Sequence, residues 1–171
     1  MVQSTEIQVS KTGRNRRDVA VGVLFLVIAA LIGPETKAGR WKIHLLESDG
    51  RKGAFLVEAA RAMGLKLSPA IRPDPAADII LHTARIEAVN PFPADVVTAR
   101  ALAPLDKLLD MAHPFLQSTR NCGVCLFLKG KTAQEELTAA QKRWTIQVTP
   151  HSSLSDPEGR ILEISGVAPK P

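Results

Sequence analysis

Short apolar runs alternate with helical stretches along most of this chain, and that alternation restricts its fold more than any other feature. Trp41–Leu46, Asp78–Thr83, Asp95–Thr98 and Gly123–Lys129 read as short, mainly apolar strands. Between them lie Arg51–Gly64, with apolar residues at Ala54, Phe55, Val57, Ala59, Ala60 and Met63, and Pro104–Leu116. Ala133–Arg143 is amphipathic and rich in Glu, Gln and Lys. Strands alternating with helices imply a largely parallel sheet covered on both faces. Trp144–Thr149 and Arg160–Ile164 follow one another without a helix, so the sheet is expected to close on an antiparallel hairpin.

Punctuation supports these bounds. Asp49 is placed to cap the helix at Arg51, and Gly64 to stop it. Pro104 suits the first turn of the next helix. Ser68–Ala77, with Pro69, Pro73 and Pro75, reads as a loop, as does Asn90–Pro93. Asp18–Ile32 reads as an opening buried strand followed by a buried helix, and Gly33–Arg40 as a turn. Residues 1–17 are polar, basic and unpatterned, a flexible arm; 18–166 form the domain and 167–171 a tail.

The 171 residues suffice for one domain with a core. A net charge of +5 suits a polyanionic partner such as RNA or a membrane surface. With no Tyr and few Phe or Trp, stacking platforms for single strands are not expected. Cys122 and Cys125 are one pair, short of the four ligands of a zinc site, and open an apolar run rather than a helix, so neither metal nor redox chemistry is expected. His44, His82, His113 and His151 are scattered and read as structural or surface residues. Arg14, Arg16 and Arg17 before Val19–Gly33 suggest a membrane anchor, yet that run of about 15 residues falls short of the roughly 20 needed to span a bilayer.

In an open α/β sheet, ligands bind outside the carboxyl ends of the strands. Glu47 stands there, in Leu45-Leu46-Glu47-Ser48-Asp49, where a carboxylate can accept both hydroxyls of a ribose. It equally fits an acidic cluster that caps the next helix. Arg100 follows an apolar strand and precedes a helix, which favours a site residue over a surface ion pair. Lys129 closes another strand and reads equally as a solvated strand end.

Several strings carry a resemblance. They are Leu45 to Leu56 (LLESDGRKGAFL), Arg85-Ile86-Glu87, Asp95 to Leu105 (DVVTARALAPL), Leu126 to Gly130 (LFLKG) and Asp156 to Leu162 (DPEGRIL). From about Asp18 to Ile164 the chain resembles the ribosomal RNA small subunit methyltransferase G family, also called glucose-inhibited division protein B. The resemblance implies a class I S-adenosylmethionine-dependent methyltransferase fold: Rossmann-like, with seven mostly parallel strands and an antiparallel last strand. It implies methyl transfer to guanine N7 in the decoding-region loop of 16S ribosomal RNA, by a cytoplasmic monomer without a metal. Glu47 would match the ribose-binding acid, Ile86 and Glu87 the pair beside the adenine, and Arg100 the arginine lining the pocket. Lys129 would match the lysine ending the fifth strand, a contact for the substrate RNA, with Arg51 and Lys52, also RNA contacts, near the rim. No catalytic acid or base is implied, because N7 has a free lone pair; Arg100 and Lys129 would position the reactants.

The family's opening strand ends in a glycine-rich turn, Asp-x-Gly-Ser-Gly-x-Gly-Phe-Pro-Gly. Here Asp18, Gly22 and Phe25 match it, whereas Ala20, Val23 and Leu24 replace glycines and Val21 the serine. Ala20, Gly22 and Phe25 would be the cofactor contacts of this turn. A coding stretch for Gly-Ser-Gly-Gly read one base out of frame yields Val-Ala-Val-Gly-Val, the residues at 19–23. The family also carries a helical segment before this strand, so the chain is expected to be N-terminally truncated with a degraded glycine motif. The competing expectations are a non-catalytic RNA-binding remnant and a small protein anchored in a membrane by Val19 to Ile32.

Overall fold

The computed structural model describes residues 42–77, 79–100, 102–116, 123–153 and 156–171. Asp18, the opening strand expected after it, the 1–17 arm and the Val19 to Ile32 run lie outside them, as do Ala20, Gly22 and Phe25.

The first sheet has three parallel strands: β1 (Ile43–Leu46), β2 (Leu67–Pro69) and β3 (Ile79–His82), in the order β1-β3-β2. β2 corrects the loop expected over Ser68–Ala77. Its backbone pairs through Ser68 and Pro69 with Ile80 and Leu81 at the sheet edge, where a strand can hold a proline.

Between β1 and β2 runs α1 (Gly50–Ala62). Asp49 caps it as expected, its carboxylate accepting from the Arg51 and Lys52 amides. Gly64 ends it at φ +70°, a conformation that costs glycine no Cβ clash. The face that α1 buries is Gly53, Leu56 and Ala60; Phe55, Val57 and Met63 are each more than a third exposed. Leu45, Leu56, Ala60, Ile79 and Leu81 form the small core of this half.

The second sheet runs β4-β5-β7-β6, with β4 (Val96–Arg100), β5 (Val124–Lys129), β6 (Trp144–Ser152) and β7 (Arg160–Pro169). β4 and β5 are parallel, and β7 is antiparallel to both β5 and β6, the closing hairpin expected. β7 runs through Pro169, which pairs with Trp144, so residues 167–169 are strand rather than tail. α2 (Leu105–Leu116) buries Leu105, Leu108, Leu109, Ala112, Phe115 and Leu116, a stripe at helical spacing. With α3 (Ala133–Ala140) it covers a core that includes Cys125, Phe127, Trp144, Leu162 and Ile164. Burial pushes the Cys125 thiol up to about 12, so at neutral pH it is an inert apolar filler.

Phe92 joins the halves: its ring lies 4.0 Å from that of His44, 5.6 Å from that of His82 and 5.0 Å from that of Phe115 of α2. Among the described residues β1 and β4 are each the outer strand of their sheet, with one edge unpaired. No described helix is long and apolar enough to cross a membrane.

Candidate functional site

Parallel pairing fixes where the expected site residues can stand. β1 and β3 run together, so Glu47, just past β1, and the 3-10 turn Ile86–Ala88, just past β3, share one end of the first sheet. The Glu47 amide donates to His82 O at 3.0 Å, which ties the two strand ends directly. In the second sheet Arg100 ends β4 opposite Leu128, and Lys129 ends β5. Each expected residue among those described therefore stands at, or just after, the carboxyl end of a parallel strand, or in the first turn of the helix that follows.

The Glu47 carboxylate is half-buried, and its Oε1 accepts from the Asp49 amide at 2.8 Å. Glu47 thus braces the turn while Asp49 does the capping. One carboxylate oxygen is left uncommitted among the described residues. An oriented carboxylate with a free oxygen, at a strand end, fits a ribose diol. Ile86 is half-buried and Glu87 exposed, an apolar and a polar group side by side on the turn. Arg100 and Arg51 are exposed, and Lys52 is half-buried.

Lys129 stands differently. Its side chain is only 6% exposed, and its Nζ donates to Ala103 O and Glu136 Oε2, each at 2.7 Å. Its ammonium faces the turn after β4, and a phosphate reaching it would have to compete with Glu136.

Two features went unread in the sequence. His44 of β1 and His82 of β3 meet diagonally across the two strands, His44 pairing in register with Ile80 and His82 with Leu46, with Nδ1···Nε2 at 2.9 Å. Desolvation, then the nearby His82 and Lys42 charges, hold the His44 pKa below its ordinary value; burial lowers that of His82. Only the parallel register makes this pair, and no spacing announces it. Glu136 is the other. Its one sequence signal is Thr132 one helical turn earlier, which donates to Oε1 at 2.9 Å.

Two surface clefts are lined by other residues. One, of about 520 Å³, runs along Pro69–Ile71, His82–Ala84 and Ala88–Asn90; one of about 440 Å³ lies by Asp110, Arg143 and Trp144. Neither is lined by Glu47 or Arg100.

The pattern of rRNA small subunit methyltransferase G matches residues 27–160. The chain belongs to this family. The methyltransferase G of Rhodospirillum rubrum is 46% identical over 142 residues, covering 83% of this chain and 60% of that protein. That of Paramagnetospirillum magneticum is 44% identical over 161 residues, covering 92% of this chain and 68% of that protein. The chain thus spans about three fifths of the length of the first of these relatives. Among solved structures, a 16S rRNA (adenine(1408)-N(1))-methyltransferase from Catenulisporales acidiphilia superposes with a TM-score of 0.54. It is 14% identical and covers 88% of this chain and 82% of its own. A putative O-methyltransferase from Klebsiella pneumoniae superposes at 0.50, with 11% identity over 90% of this chain and 81% of its own. These likenesses establish the class I methyltransferase fold, as the resemblance led one to expect. The family match begins at residue 27, so Ala20, Gly22 and Phe25 stand ahead of it.

Proposed function

We propose that this chain transfers a methyl group from S-adenosylmethionine to N7 of a guanine in small-subunit ribosomal RNA, acting in the cytoplasm. The observation that carries this reading is Glu47: a braced carboxylate just past a parallel strand, with one oxygen uncommitted among the described residues, in a member of the methyltransferase G family.

Glu47 would hold the ribose hydroxyls, Ile86 would lie against the adenine face, and Glu87 would meet its polar edge. Ala20, Gly22 and Phe25 remain the expected contacts on the other side. When bound, the sulfonium supplies a methyl group that is already electrophilic. Guanine N7 carries a free lone pair, so this chain has no proton to remove. Its task is then positioning, which brings the two reacting atoms into line and excludes misaligned approach. Arg100, exposed at the end of β4, would orient the guanine or its phosphate. Arg51 and Lys52 would meet the RNA backbone, whose binding should weaken steeply with salt.

The test is methyl transfer from labelled cofactor to small subunits purified from cells lacking this modification, followed by nucleoside analysis. Label in N7-methylguanosine supports the reading. Salt-sensitive RNA binding with no transfer would replace it by the non-catalytic remnant, in which the residues at 20–24 no longer admit the cofactor.

A further inference from the structure

Three donors converge on the Glu136 carboxylate. Oε2 accepts from the Leu105 amide at 2.9 Å and from Lys129 Nζ at 2.7 Å, while Oε1 accepts from Thr132. Lys129 spends a second hydrogen bond on Ala103 O. One ion pair therefore grips the backbone on both sides of Pro104. The need is local. Leu105 opens α2, so its amide has no partner within the helix. The side chain of the residue just before a helix reaches the second or third helical amide and leaves this first one open. Glu136 takes it from 31 residues further along the chain, and places a negative charge at the positive end of α2.

Arg100 precedes the turn so fixed, which runs from Leu102 to Pro104. Arg100 pairs with Leu128 in the sheet, Lys129 is the next residue on β5, and it reaches across to Ala103. Leu102, held between them, is 62% exposed at the same strand end. We propose that Glu136 is a positioning residue for methyl transfer: with Lys129 it locks the Leu102–Pro104 turn and so sets where Arg100 stands. This rests on the methyltransferase reading above. Burial pushes the Glu136 carboxyl up, but the hydrogen bonds from Lys129 and Thr132, the Lys129 charge and the Leu105 amide outweigh it, and its pKa falls below the ordinary value. These contacts thus favour the charged form of the carboxylate. Removing either partner strands a largely buried charge.

The experiment compares Glu136→Ala, Glu136→Gln and Arg143→Ala with the wild type. It reads Leu105 amide exchange, thermal midpoint, and kcat and KM for S-adenosylmethionine with small-subunit RNA. Glu136→Ala should speed Leu105 exchange at least about tenfold and lower kcat/KM by about ten- to a hundredfold, the scale of a misplaced positioning group. Gln can still accept from Leu105, so Glu136→Gln should keep the amide protected and recover most of kcat/KM. Arg143→Ala, which breaks only exposed pairs with Asp106 and Asp110, should change neither. Lost Leu105 protection with unchanged kcat/KM in Glu136→Ala overturns the assignment, leaving a structural cap. So does full protection in that variant. Wild-type protein that transfers no methyl group sinks the reaction reading itself, a result distinct from either.

Discussion

The two sheets, each with the helices on it, form halves built to different strengths. Among the described residues, the β4-β5-β7-β6 half encloses eleven mutually packed buried residues, including Phe127, Leu109 and Ile164, which are at most 1% exposed. Among the same residues, the β1-β3-β2 half encloses five, under one described helix that leaves Phe55, Val57 and Met63 partly in water. The first can hold its shape through its own burial. The second, with Glu47 and the Ile86–Ala88 turn, depends on whatever else packs against it, in part through Phe92. The residues proposed to grip the cofactor's ribose and adenine thus sit on the weaker half, and Arg100 on the stronger. Sites that must adapt to a ligand are often drawn from the less stable parts of a fold.

Three measurements bear on that contrast, in falling order of effect. Phe127→Ala should cost about 4 kcal/mol and unfold the whole chain cooperatively, seen as a single shifted denaturation curve. Leu81→Ala should cost about 2–3 kcal/mol, but locally: amide exchange should quicken across residues 43–82 while β5 and β7 stay protected. A uniform loss of protection in both variants would erase the distinction between the halves.

The third is acidification. His44 and His82 both titrate below their ordinary value of 6.5 in the folded chain. The unfolded chain therefore binds those protons more readily, so their contribution to stability is complete above pH 6.5 and is lost as pH falls through the lowered values. Protection factors in β1 and β3, corrected for the pH dependence of intrinsic exchange, should fall on acidification across the lower part of roughly pH 5–8, where histidine titrates, and His82→Gln should flatten that fall. An unchanged slope in the variant would remove the pair from the account.

Gly123–Lys129 and the α2 stripe follow directly from apolar spacing, and Asp49 and Gly64 mark α1 by capping chemistry that acts over three or four residues. What escaped was decided by tertiary pairing. Leu67–Pro69 is too short and too proline-marked to look like a strand, and it becomes one only because β3 offers an edge. The last strand was expected to stop at Ile164. In the structure Gly166 takes φ +61° near a register shift between Thr145 and Gln147, and the strand carries on to Pro169. Of the site, the strand-end positions of Glu47 and Arg100 were legible from the rule that ligands meet carboxyl ends. The burial of Lys129 was not, because its partner Glu136 sits on a helix whose composition announces only a solvated face.

The central claim is that the acid ending β1 holds the sugar of an adenosyl cofactor. Calorimetric titration of S-adenosylmethionine into the wild type and Glu47→Ala tests it most directly. The account predicts saturable binding by the wild type and a loss of about a hundredfold in the variant, the worth of two hydrogen bonds to a charged group. Equal affinity in both proteins, or no heat from the wild type at millimolar cofactor, would contradict it.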